Sequence, residues 1–293
     1  MSSSTTPYFA TTSSSTGAGT TITVRFNNGK PEETPRFAIG YWSIRGLAAP
    51  LRMMLCAAKV DHTILMYDLV EDGDAGWTSD YFTSKPALKS KYSCALMNLP
   101  YVVDQTQERI VCQTNACFMH LGRQLGMMGG NETEQSVCEE LLGEIYDLRN
   151  VMIKFAYTSG GTKEEAAGAL TGATAHLKKL ELFLTIQQEK AENVVPHHLV
   201  GATSTAPDFH LYEMLDQWTA LHPGCLSEFP ELDAFRLGFQ QLEENQFYLE
   251  SWLHEALPFN NLMAKFASAP EATVYERGQT ASWRGKGEIT MSP

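Results

Sequence analysis

The stretch "NLPYVVDQTQERIVCQTNACFMHLG" (residues 98–122) decides the fold. "NLPYVVD" is β-branched and aromatic, the composition of a strand, and Pro100 at its head has no N–H to give to a sheet. A short polar turn leads into "ERIVC", so the two strands pair as a hairpin. From Thr114 the apolar residues fall at helical spacing, and "TNACFMHLGRQLGM" is a helix ended by glycines. Strand, turn, strand, helix is half of an α/β layer, and the other half is sought upstream.

It is there. "RFAIGYW" (36–42) is a short strand, and Gly46 to Lys59 carries Leu47, Leu51, Met54, Leu55 and Ala58 at helical spacing. "HTILMYDL" (62–69) is a second strand. "EDGDAGWTSD" is a loop, and Thr78 or Ser79 caps a helix running through Leu88. The order β-α-β-α-β-β-α fits one compact α/β domain over residues 36–130. From Glu132 the pattern turns all-helical over residues 131–266. "ETEQSVCEELLGEIYDLRNVMIKFAY" is long and amphipathic, a second helix runs from Lys163 to about Glu189, and "TAPDFHLYEMLDQWTAL" is a third. Pro230–Gln240 and Glu243–His254 are shorter. "MGGNETE" (128–134) is the expected junction.

The flanks differ. Residues 1–35 are Ser/Thr-rich with little apolar periodicity and are expected to be a disordered extension. They lack the basic start and apolar run of a secretory signal, and the first arginine is Arg25. Residues 267–293 carry Gly, Pro and charge without periodicity and are expected to be irregular.

Of the 293 residues 43% are hydrophobic, enough for a sizeable core, and no apolar run is long enough to predict a membrane span. The net charge is −12 with no basic stripe, which argues against nucleic acid or an anionic membrane as partner. The six cysteines form no CxxC and no zinc spacing, so no metal is expected; they read as small buried hydrophobes of a reducing compartment.

Four features carry possible chemistry. Thr205-Ala206-Pro207-Asp208 is a capping box with Pro in the first turn, and its meaning is structural. Leu99-Pro100, if cis, would turn the backbone of Leu99 outward to pair with a peptide-like ligand; from the tripeptide alone an ordinary trans proline opening an edge strand is favoured. Gln113-Thr114 stands where a strand ends and a helix begins, either as a cap or as a carboxylate site on helix N–H groups. Tyr41, in "IGYWSIRGLAAPLRMML" (39–55), ends the first strand; alone it reads as a buried structural tyrosine. Arg45 and Arg52 read as structural charges.

Taken together in this order, "GYWSIRGLA" (40–48), "NLPY" (98–101), "QTNA" (113–116) and the later T-x-x-D resemble the cytosolic glutathione S-transferases over roughly residues 37–266. They look most like the mu class, with pi and sigma close. The resemblance implies a thioredoxin-like α/β N-terminal domain plus an all-α C-terminal domain, a homodimer, a cytoplasmic location and glutathione as co-substrate, with no further cofactor. It implies Tyr41 as the donor to the glutathione sulfur. Leu99 and Pro100 (the family's cis-proline) would pair with the cysteinyl part, and Asn98 belongs to the same loop. Gln113 and Thr114 would hold the γ-glutamyl carboxylate. Trp42, Tyr81 and Lys85 would hold the glycyl end. Asp147 would reach the ligand of the neighbouring subunit, and Tyr157 would border the electrophile pocket. Departures from the mu pattern are Ser43 in place of Asp, a longer segment between Lys85 and Asn98, and Leu96 or Tyr92 in place of the aromatic that wedges into the partner. The function implied is conjugation of glutathione to hydrophobic electrophiles. The alternatives are a non-catalytic binding or scaffold protein of the same fold and a glutathione-dependent isomerase of the sigma type.

Overall fold

A computed structural model describes residues 8–13, 20–26, 33–190 and 198–267. Its strands are β1 (Tyr8–Ser13), β2 (Thr20–Arg25), β3 (Phe37–Trp42), β4 (His62–Tyr67), the short β5 (Val70–Glu71) and β6 (Trp77–Thr78), β7 (Tyr101–Asp104) and β8 (Arg109–Cys112). Three helices belong to this layer: α1 (Ala49–Ala57), α2 (Asp80–Lys91) and α3 (Thr114–Leu125). The helical part follows as α4 (Glu132–Thr158), α5 (Lys163–Lys190), α6 (Ala206–Leu221), α7 (Pro230–Gln241), α8 (Glu243–Leu249) and α9 (Trp252–Glu255).

The main sheet runs β1-β2-β4-β3-β7-β8. β3 and β4 are parallel, joined by the α1 crossover; the other neighbours are antiparallel. Ser79 caps α2 by accepting from the Tyr81 N–H at 3.2 Å. β7 lies between β3 and β8, so the expected edge strand is interior, and its missing proline N–H falls just outside the ladder.

The extension expected to be disordered contributes β1 and β2, which is a correction. β2 pairs antiparallel with β4 and buries Ile22 and Val24, two apolar side chains alternating with threonines. Threonine is β-branched and suits a strand, so a Ser/Thr-rich segment needs few apolar residues to join a sheet edge. Phe26 meets the ring of Phe247 edge-on at 4.9 Å, and Phe9 stacks on it at 4.8 Å. The rest of the expectation for 1–35, and the expected irregular tail 268–293, lie outside the described residues.

The helix expected over Glu243–His254 is broken between α8 and α9, where the Ser251 hydroxyl donates to the Tyr248 carbonyl at 2.6 Å. α6 is buried almost all round and sits at the centre. Asp208 fixes its start: the carboxylate accepts from the N–H of Thr205, the N–H of Leu199 and the Thr205 hydroxyl, each at 2.6 Å. Asp208→Ala would leave buried donors without an acceptor, and urea unfolding should show a loss of about 2–4 kcal/mol.

One apolar core runs through both layers, from Ile39 and Leu51 to Ile145, Leu215 and Phe239. Arg45, fully buried in the β3–α1 turn, ties them together. Its guanidinium donates to Glu213 and Asp216 on α6, each at 2.7 Å, and stacks 4.4 Å over the ring of Phe259. Arg52 is equally buried and donates to the Ile44 carbonyl at 3.1 Å.

Candidate active site

Sheet register assembles the site. Gly40 pairs with Tyr101 across β3–β7, and Tyr101 pairs with Cys112 across β7–β8. One residue beyond that row, at the same end of three adjacent strands, stand Tyr41, Pro100 and Gln113. Gly40 is required there: a Cβ on it would lie 2.0 Å from the ring of Tyr101. The Tyr101 hydroxyl in turn meets that of Tyr67 at 2.6 Å.

The Leu99–Pro100 bond is cis. Pro100 is buried, Leu99 half-buried and Asn98 exposed, so this backbone turns toward the surface. Gln113 is exposed at a φ of +76°, and Thr114 is the first helical residue of α3. The cap position thus falls to Gln113, not to Thr114, whose buried hydroxyl adjoins the open N–H groups of the first turn.

Tyr41 is 6% exposed, and burial raises its pKa above the ordinary phenol value; the Arg149 guanidinium and the Leu47 backbone N–H pull the other way. The raised pKa keeps the phenol protonated at neutral pH, so its O–H can serve as a donor. A Cβ at Gly46, whose φ is +41°, would come within 2.8 Å of the Tyr41 ring and 3.0 Å of its hydroxyl. Tyr41, Arg149, Ile153, Tyr157, Met214 and Asn260 line one narrow pocket. Tyr157 accepts from the Asn261 N–H at 3.0 Å, and burial pushes its pKa up to about 12, so it too keeps its proton.

The three residues expected at the glycyl end lie side by side. The Trp42 and Tyr81 rings meet edge-on at 5.5 Å, and the Lys85 ammonium stands 5.5 Å over the Tyr81 ring. Tyr81 is buried and its hydroxyl has no hydrogen-bond partner among the described residues. Asp147 is exposed on α4, off the stripe that faces Tyr41. Leu96 is 70% exposed, whereas Tyr92 packs inward against the sheet, so Leu96 is the apolar side chain that projects from the loop.

Sequence reasoning missed Tyr146 and Arg149, both of which act on Tyr41 electrostatically. The signal was present: Tyr146, Arg149, Ile153 and Tyr157 fall at helical spacing along one face of α4. Among the described residues no group of His, Cys, Asp and Glu is arranged to hold a metal ion.

Comparison with known proteins identifies the family. The chain is 30% identical over 239 residues to glutathione S-transferase Mu 3 of Macaca fuscata fuscata, covering 79% of this chain and 96% of that protein. The chain belongs to the glutathione S-transferase family. Glutathione S-transferase Mu 5 of Rattus norvegicus is 31% identical over 231 residues, 78% of this chain and 95% of that one. Residues 146–252 match the family description "Glutathione S-transferase, C-terminal domain". The glutathione S-transferase fold itself is shared with the solved structure of Blo t 8 (TM-score 0.64, 23% identity, 78% of this chain and 99% of that one). It is shared equally with the pi-class enzyme of Onchocerca volvulus (TM-score 0.62, 23% identity, the same coverage). No helix among the described residues is long and apolar enough to cross a membrane.

Proposed function

We propose that this glutathione S-transferase conjugates the glutathione thiolate to hydrophobic electrophiles, with Tyr41 donating its phenol proton to the sulfur. The observation that carries the reading is the placement of Tyr41 one residue beyond the same cross-strand row as the cis Leu99–Pro100 bond and the exposed Gln113. Leu99 offers free backbone groups to the cysteinyl moiety, with Asn98 beside it. Gln113, the Thr114 hydroxyl and the α3 N-terminus receive the γ-glutamyl carboxylate. Trp42, Tyr81 and Lys85 receive the glycyl end. Tyr157 borders the electrophile. Residues 36–130 would thus bind glutathione and 131–266 supply the electrophile wall. Asp147 would act across a homodimer whose contact includes Leu96. The setting is cytoplasmic detoxification.

The magnitudes limit what Tyr41 does. A free thiol with a pKa of about 8.5 is about 3% thiolate at pH 7, and lowering it to about 6.5 raises this to about 75%. That gain of about 25-fold is offset by a loss of about 8-fold in intrinsic nucleophilicity. Activation alone therefore contributes about threefold, and the remainder must come from positioning the electrophile and stabilising developing charge. Arg149, beside Tyr41 in the pocket, is a cation placed for the second task.

Retention on immobilised glutathione, followed by conjugation assays over a broad electrophile panel, tests the reading. Retention with turnover is expected; retention without turnover over the whole panel would replace the enzyme by a binding protein. Gly46→Ala should lower kcat/KM by displacing the Tyr41 ring, while the same variant's unfolding free energy, measured in urea, falls only modestly, by about 1–2 kcal/mol.

A further inference from the structure

We propose that Cys94 and Cys112 form an oxidisable thiol pair, which a low-molecular-weight disulfide of the glutathione type converts to an intramolecular disulfide beside the glutathione site. Their sulfurs stand 3.7 Å apart, so a bond of about 2.05 Å needs a closure of less than about 2 Å. The two residues are 18 apart in sequence, and the cis Leu99–Pro100 turn and the β7–β8 hairpin bring them together.

Their surroundings divide the labour. Cys94 is half-exposed in the loop before Pro100, between Ser93, at a φ of +50°, and the exposed Ala95 and Leu96. Cys112 is buried at the end of β8, and burial pushes its thiol up to about 11. Its thiol donates to the Met97 sulfur at 3.7 Å, and the Lys85 ammonium and the Asn98 backbone oppose the rise. Cys56 and Cys117 are wholly buried, with thiols pushed well above the ordinary range by burial, and the Cys117 thiol donates to the Val111 carbonyl at 3.3 Å. Cys94 is thus the entry thiol and Cys112 the resolving one.

The chemistry balances. The Cys94 thiolate attacks one sulfur of the disulfide, forming a mixed disulfide and expelling one thiolate. The Cys112 thiol gives its proton to that released thiolate and attacks the Cys94 sulfur, expelling the second glutathione. Two protein thiols are oxidised and one disulfide is reduced to two thiols.

The consequence rests on the proposed glutathione site. Cys112 leads directly into Gln113-Thr114, and its sulfur contacts that of Met97, the residue before Asn98. Drawing Cys94 onto Cys112 shifts the two segments assigned to glutathione against each other, so affinity for glutathione should fall several-fold in the oxidised protein.

Full-length protein is treated with glutathione disulfide, its free thiols are capped, and it is digested for mass spectrometry. The expected product has lost two hydrogen atoms and yields one cross-linked peptide pair joining Cys94 to Cys112. Cys112→Ser should instead keep one glutathionyl group on Cys94, and Cys94→Ser should take up none there. A persistent glutathionyl group on wild-type Cys94, a different linkage, or no reaction would overturn the pair. Calorimetric titration of reduced and oxidised protein with glutathione then judges the consequence. Unchanged affinity with the link formed would overturn the coupling alone. Failure of the reduced protein to bind glutathione would refute the proposed site and leave the thiol chemistry to the mass data.

Discussion

Tyr41→Phe should lower kcat/KM for conjugation by about 10–100-fold at neutral pH, the value of one hydrogen bond to a charged group, ~1.5–3 kcal/mol; about threefold of this is lost thiolate activation and the rest is charge at the reacting sulfur that Tyr41 stabilises alongside Arg149. The sign follows from the charge. The phenol proton stabilises the thiolate and not the thiol, so it lowers the thiol pKa, and its removal raises it. Burial holds the phenol itself above its ordinary pKa, so it stays a donor throughout the neutral range. The deficit of the variant should shrink as the pH rises past about 8.5, where the thiol ionises unaided. A pH–rate profile of both proteins checks it. The part of the loss that survives at high pH measures charge stabilisation beyond thiolate formation.

Arg45→Met should destabilise the fold by about 3–5 kcal/mol at neutral pH, because it strands two buried carboxylates. Glu213 already has a raised pKa from burial, which the Arg45 charge opposes. Without Arg45 the carboxyl rises further above its unfolded value. The sign is then fixed: the contribution is favourable below the unfolded pKa of about 4.3 and is lost as pH rises through the higher folded pKa. The variant should therefore be more stable at pH 5 than at pH 8, the opposite of ordinary acid denaturation. Urea unfolding at the two pH values measures it, and Glu213→Gln with Asp216→Asn in the same chain should recover much of the loss. The backbone N–H of Arg45 donates to the Pro258 carbonyl at 2.8 Å, a bond in the turn that carries Tyr41 into α1 and one the substitution leaves in place.

The layer order was legible because its signals are local. "NLPYVVD" and "ERIVC" share a face pattern across one turn, and α4 and α6 carry long apolar stripes. The capping box at Thr205 and Asp208 was legible for the same reason. β1 and β2 were not, since their apolar content is small and β2 is completed by pairing with β4, far along the chain. The cis Leu99–Pro100 bond has no signal in its tripeptide; only its place among the other motifs pointed to it. Trp42, Tyr81 and Lys85 are neighbours in the fold, yet the burial of Tyr81 and the engagement of Tyr157 by Asn261 depend on packing that no local spacing encodes. Cys94 was read as a buried hydrophobe; the hairpin that sets it against Cys112 makes it a half-exposed member of a pair.

The most direct measurement is the ultraviolet titration of glutathione bound to the protein, following the thiolate absorbance against pH in wild type and in Tyr41→Phe. The bound thiol should ionise at least one pH unit below its free value of about 8.5 in the wild type, and near that value in the variant. Equal midpoints in the two proteins, with glutathione bound to both, would contradict Tyr41 as the donor to the sulfur.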